Sequence, residues 1–137
     1  MDTGSRIASC SCGSLKATCI GEPARVGICN CTECQKRTGS VFGVGAYYSK
    51  SNVQLQGKDT VFVRSSETGR KLNYHFCPTC GTSVTWELEL FPDLVAVAVG
   101  CFTDPDFPAP KRAVWGQYKH RWVEFPQDVV TLPTQPG

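Results

Sequence analysis

Cys29-Asn30-Cys31-Thr32-Glu33-Cys34, followed by Gln35-Lys36-Arg37-Thr38-Gly39, places three thiols at positions i, i+2 and i+5 with two cations directly behind them. A disulfide uses two sulfurs, so three within six residues ask for another explanation. A soft divalent metal supplies one, because it draws several thiolates to a single point. If every ligand comes from this loop, the metal has three and one coordination position stays open. The loop reads as an open zinc site at which chemistry happens. The alternative is a closed site with a fourth protein ligand, for which Cys19, Cys101, His75 and His120 are the candidates. Three thiolates on Zn²⁺ leave a net charge of about −1, which Lys36 and Arg37 are near enough in sequence to offset. A thiol entering the fourth position would be deprotonated by the metal near neutral pH.

A second set of sulfurs pairs across the chain. Cys10-Ser11-Cys12-Gly13 and Cys77-Pro78-Thr79-Cys80-Gly81 each end in Cys-Gly. Glycine after a ligand cysteine allows a tight turn through positive φ, so that amides can point at the sulfurs. Two such hairpins supply four thiolates, enough for a closed tetrahedral zinc. A closed site leaves no room for substrate, so its expected role is structural, with its binding energy acting as folding energy. The competing reading of Cys77-Pro78-Thr79-Cys80 is a thioredoxin-like redox pair, which belongs at a helix start. The segment that follows, Ser83-Val84-Thr85-Trp86, reads instead as a strand.

The remaining composition sets bounds. With 137 residues, 41% hydrophobic and 19% charged, the chain is expected to form one domain, residues 1–137, with its core over about 5–125. A formal net charge of +2 argues against nucleic acid or an anionic membrane surface as partner. The longest apolar stretch, residues 94–99, is too short to span a bilayer. The first residues carry an acid and no apolar run, so a secretory signal is not expected and the cytoplasm is the expected compartment. Nine cysteines in such a chain point to metal or reactive thiols before disulfides. Asn30-Cys31-Thr32 matches a glycosylation acceptor in form only.

Short alternating runs rich in Val, Thr and aromatics predict strands over residues 15–20, 25–30, 41–48, 53–55, 60–64, 71–76, 83–87, 94–100, 113–115 and 122–125. Residues 32–38 read as a single helical turn with Thr32 as N-cap. No segment of ten residues carries a 3.6 period, so the expected architecture is mainly β, with antiparallel sheets pinned by metal-binding loops. Residues 131–137 are expected to fray.

Taken together, Cys10-x-Cys12-Gly13, Cys29-x-Cys31-x2-Cys34-x2-Arg37-Thr38-Gly39-Ser40 and His75-Phe76-Cys77-x2-Cys80-Gly81-Thr82 resemble the glutathione-dependent formaldehyde-activating family, also called the centromere-protein-V-like family. The likeness runs on through residues 94–100 and Asp104-Pro105 to Trp115. It implies a Mss4-like, or β-tent, fold with two zinc ions. A structural zinc falls on Cys10, Cys12, Cys77 and Cys80, and a catalytic zinc on Cys29, Cys31 and Cys34. It further implies a carbon–sulfur lyase that condenses glutathione, or a similar thiol, with formaldehyde or a related small aldehyde to give S-hydroxymethylglutathione. The thiolate attacks the carbonyl carbon and the alkoxide is protonated, with no protein nucleophile.

Other residues are weighed singly. Arg37 is the expected substrate-binding residue, because a guanidinium can fork onto a carboxylate and glutathione carries two; pairing with a protein acid is the alternative. Cys19 and Cys101 read as buried small hydrophobes, His75 as a structural histidine and His120 as an exposed loop residue. Trp86 is expected inside and Glu87 outside. Trp115 and Trp122 read as core, with a cleft wall as the alternative. Gly39, Gly43 and Gly45 read as a bulge or tight packing rather than a phosphate loop. Two further functions stay open: a non-catalytic zinc-stabilised binding module, and hydrolysis through metal-bound water. The second lacks a clear base beside the site.

Overall fold

Residues 4–66 and 69–135 are described by the computed structural model. In chain order they form β1 (Ser5–Ser9), β2 (Lys16–Ile20), β3 (Arg25–Cys29), α1 (Thr32–Thr38), β4 (Gly43–Ser49), β5 (Val53–Gln56), β6 (Thr60–Ser65), β7 (Lys71–Phe76), β8 (Ser83–Leu88), β9 (Leu94–Ala98), β10 (Arg112–Val114) and β11 (Val130–Thr131). Single 3-10 turns lie at Lys50–Asn52, Val99–Phe102 and Gly116–Tyr118.

The strands make two sheets. One has three strands in the order β1-β2-β5; the other has eight, ordered β11-β10-β3-β4-β9-β8-β7-β6. Period-two alternation gives each strand two faces. In β4, Ala46 and Tyr48 join Ala8, Ala17 and Cys19 of the small sheet in one buried core. The opposite face of the large sheet carries a second cluster, Leu72, Tyr74, Trp86 and Ala96. A register shift between His75 and Phe76 lets β8 serve both. The irregularity takes up one residue, so that Val84 enters the first core while Trp86, two residues on, enters the second. The result is the mainly β, two-sheet arrangement of a β-tent, with loops carrying cysteine clusters.

Several local expectations are corrected. The large sheet is mixed: β10 runs parallel to both β3 and β11, because the chain returns to β3 only after most of its length. The strand expected over 122–125 is absent; those residues form a turn and loop, and Trp122 is 73% exposed. β1, which alternates Ser, Arg, Ile, Ala and Ser, escapes a hydrophobicity reading because its outer face is wet. The end of the chain is tied down rather than frayed over 130–133: β11 pairs with β10, and Leu132 exchanges hydrogen bonds with Ala113 and Gly116. Residues 136 and 137 lie outside the described residues. Among those described, no helix is long and apolar enough to cross a membrane.

Candidate metal centres

The four distant cysteines converge. Sulfurs of Cys10, Cys12, Cys77 and Cys80 all lie within 4.8 Å of one another. Cys12 Sγ is 3.7 Å from Cys10 Sγ and 3.6 Å from Cys77 Sγ. Tetrahedral zinc with Zn–S bonds of about 2.3 Å sets its sulfurs about 3.8 Å apart, so the donor set fits that ion. The hairpins turn at Gly13 (φ 85°) and Gly81 (φ 82°), the positive φ that the Cys-Gly pairs require. That geometry aims amides at sulfur: Leu15 N–H donates to Cys10 Sγ (3.2 Å) and Thr79 N–H to Cys77 Sγ (3.3 Å). Two hydroxyls complete the shell. Ser14 Oγ lies 3.2 Å from both Cys12 and Cys77, and Thr82 Oγ1 lies 3.3 Å from Cys80. These donors favour thiolate. The Thr82 hydroxyl, then its backbone, lowers Cys80 to about 5; the Ser14 hydroxyl, then the Cys80 amide, lowers Cys77 to about 7.

The trio is built differently. Cys29 ends β3, Cys31 precedes α1 and Cys34 sits in the first turn of that helix, buried. Their sulfurs also fall within 4.8 Å of one another. The N-cap is Cys31, not Thr32: its sulfur accepts from the Cys34 amide at 3.3 Å, so one ligand also starts the helix. Hydrogen bonding from Cys29 and then Cys34 drops the Cys31 thiol to about 2, whereas hydrogen bonding to Cys31 and then Cys34 pushes Cys29 upward. Three converging sulfurs thus concentrate negative charge on one of them, and a divalent cation is what allows all three to be thiolates.

None of the four candidates for a fourth ligand joins this trio among the described residues. Cys19 is wholly buried in the first core and Cys101 packs against it; burial raises both thiols to about 11. His75 is structural, bonded through Nδ1 to Asp59 and through Nε2 to Glu87 at 3.1 Å. Burial lowers its pKa, but the two carboxylates outweigh it and the net shift is upward. His120 is exposed and meets Gln35 Oε1 at 3.0 Å.

The trio opens onto a cavity of about 840 Å³ on the second face of the large sheet, a size usual for small-molecule sites. Its floor is nearly bare of side chains at Gly27, Gly43 and Gly45, and Trp86, Tyr74 and Trp115 form walls. Gly45 leaves room for Trp86, whose Cζ2 would lie 2.9 Å from a Cβ there, and Gly43 likewise for Arg37, so these two serve packing as expected, whereas Gly39 is the left-handed C-cap of α1 (φ 69°). Among the described residues, seven cations line the cavity, Arg25, Arg37, Arg64, Arg70, Lys71, Lys111 and Arg112, against the acids Glu33 and Glu89.

Arg37 lies over Trp86, 4.3 Å from the ring centroid, and 5.4 Å from that of Tyr74. No carboxylate pairs with it among the described residues, and its buried Nε has no partner. Lys36, by contrast, is 77% exposed and turns to Glu33 at 4.0 Å. Sequence reasoning missed Arg64. Its Nε donates to the Tyr74 hydroxyl at 3.0 Å, and its charge acts on Cys31 and Cys34.

The family profile described as glutathione-dependent formaldehyde-activating enzyme matches residues 5–118. The chain belongs to that family. Its membership supports glutathione-dependent formaldehyde activation. The fold is also similar to that of a solved Rhodobacter sphaeroides protein, at TM-score 0.55 and 19% identity, over 92% of this chain and 98% of that one. No curated protein matches the chain. Arg64 and Ser14 carried no local signal, since both act on cysteines brought to them by the fold. Trp122 belongs to neither core nor cleft; its ring meets His120 edge-on near the surface.

Proposed function

We propose that this member of the glutathione-dependent formaldehyde-activating family is a zinc-dependent carbon–sulfur lyase that joins glutathione to formaldehyde as S-hydroxymethylglutathione. The observation that supports this most is the placement of three convergent sulfurs on the wall of a cation-rich cavity. Cys10, Cys12, Cys77 and Cys80 would hold a structural zinc, and Cys29, Cys31 and Cys34 a catalytic one. The second zinc would supply Lewis acidity that turns an approaching thiol into a thiolate near neutral pH.

The chain's own residues do the rest. Arg37 and Arg64, neither with a carboxylate partner among the described residues, face the acid groups of the substrate. Aromatic contact holds Arg37 in one orientation, so little of its freedom is lost on binding. Apolar walls at Leu72, Trp86 and Leu88 exclude water, which strengthens each charge contact inside. Gly43 and Gly45 leave room against the strand for the Arg37 guanidinium and the Trp86 ring, which sets where both meet the substrate. Residues 1–137 act as one domain in the cytoplasm, with no nucleic acid or membrane partner.

The test is magnetisation-exchange NMR between glutathione and its formaldehyde adduct. The native protein should accelerate exchange above the uncatalysed rate, and Cys34→Ser should remove the acceleration. Exchange at the buffer rate, with glutathione failing to bind, would favour the non-catalytic module.

A further inference from the structure

Tyr74 lies in the second core cluster and lines the same cavity as the trio. Packing alone would be satisfied by phenylalanine, so the hydroxyl needs its own account. Its oxygen accepts from Arg64 Nε at 3.0 Å. Its hydrogen has no acceptor among the described residues. Arg64 is itself unusual: it is half-buried, without a carboxylate, and its guanidinium stands 5.6 Å from the Tyr74 ring centroid. Arg37, carried by the same helix as Cys34, stands 5.4 Å from that centroid. Two cations thus stand close to one phenol on the cavity wall, with its proton left to give.

We propose that Tyr74 is the proton donor of the reaction, positioned by Arg64, and delivers its hydroxyl hydrogen to the aldehyde oxygen. The assignment rests on the condensation proposed above. As the thiol sulfur bonds to the carbonyl carbon, the C=O π bond breaks and its electron pair moves to oxygen. That oxygen takes the Tyr74 proton, and the phenolate recovers one from solvent, which received the proton lost by the thiol. Sum and charge balance as thiol plus aldehyde gives hemithioacetal. The reverse reaction uses the same phenolate as base.

The surroundings suit both states. Burial holds the Tyr74 hydroxyl above the ordinary phenol range, so it carries its proton at neutral pH. Arg64 and Arg37 then offset the charge of the transient phenolate. Tyr47 also lines the cavity, but no cation among the described residues bonds its hydroxyl; its ring meets Phe91 edge-on instead.

Tyr74→Phe keeps the packing and removes the proton. Exchange between glutathione and its adduct should slow by about 10²-fold or more, the usual contribution of a positioned acid, with zinc content and glutathione affinity unchanged. Arg64→Met should slow it too, and displace the alkaline limb of the pH–rate profile. A Tyr74→Phe enzyme that keeps the native rate overturns the assignment. So does loss of rate in Tyr47→Phe instead. Calorimetry with S-(2-hydroxyethyl)glutathione and S-ethylglutathione gives a readout independent of turnover. The native protein should prefer the hydroxyl-bearing ligand and Tyr74→Phe should not. Should the native protein show no exchange above buffer, the lyase reading fails, and an equal ligand ratio in both proteins overturns Tyr74 on its own.

Discussion

Arg37 lies where a side chain on Gly43 would be: a Cβ at position 43 would sit 2.9 Å from Arg37 Nη2. Gly43 is also the strand partner of Cys29, so the bare position serves the trio and the guanidinium together. Gly43→Ala should move the end of Arg37 off Trp86. The clash meets the far end of a flexible side chain, while alanine in a strand is favoured over glycine by about 0.5–1 kcal/mol. Stability should therefore change little, whereas glutathione affinity should fall about tenfold, or about 1.4 kcal/mol. Calorimetric titration beside a denaturation curve checks both.

Gly57 is a different case. It has φ 102°, and a Cβ there would lie 2.0 Å from the Ser14 carbonyl oxygen. That atom is backbone and belongs to the hairpin of the quartet, so it cannot step aside. Gly57→Ala should destabilise by more than about 4 kcal/mol, the exceptional range for single changes. Thermal denaturation and metal analysis should show the quartet failing with the fold.

Gly45→Ala tests the aromatic wall. The added methyl meets Trp86 Cζ2 at 2.9 Å, and that ring is 6% exposed in the second core. Overpacking of this kind costs about 1–3 kcal/mol. Near-ultraviolet circular dichroism should show Trp86 displaced while the far-ultraviolet spectrum stays β-rich.

The two clusters should fail differently. Cys34→Ser should leave a folded protein with one zinc per chain and no exchange activity. Cys80→Ser removes one of four sulfurs that tie β1's end to the loop after β7, and should cost folding itself. A mild chelator should likewise draw one metal first, abolishing activity before the melting transition moves. Metal analysis of each sample beside its melting curve decides the matter.

Both clusters were legible in the sequence because metal ligands come in short, close spacings. Cys-Gly fixed the hairpins, and Gly13 and Gly81 take the positive φ it requires. Strand alternation located most of the sheet, including Trp86 inward. What escaped was long-range. Arg64 reaches the trio only because β6 lies at one edge of a sheet whose other strands carry Cys29. Ser14 meets Cys77 across 63 positions of sequence. Parallel pairing of β10 leaves no local mark, and β11 is too short for a period. Trp122 misled because an aromatic next to Val123 looks like strand, yet only Val123 is buried.

The central claim is that Cys29, Cys31 and Cys34 form a three-sulfur metal site open to a thiol. Cobalt-substituted protein titrated with glutathione measures this directly. A rise in thiolate-to-metal charge transfer, saturating at one glutathione per chain and absent in Cys34→Ser, is the predicted result. A spectrum that already shows four protein ligands at the trio and does not change with glutathione would contradict it.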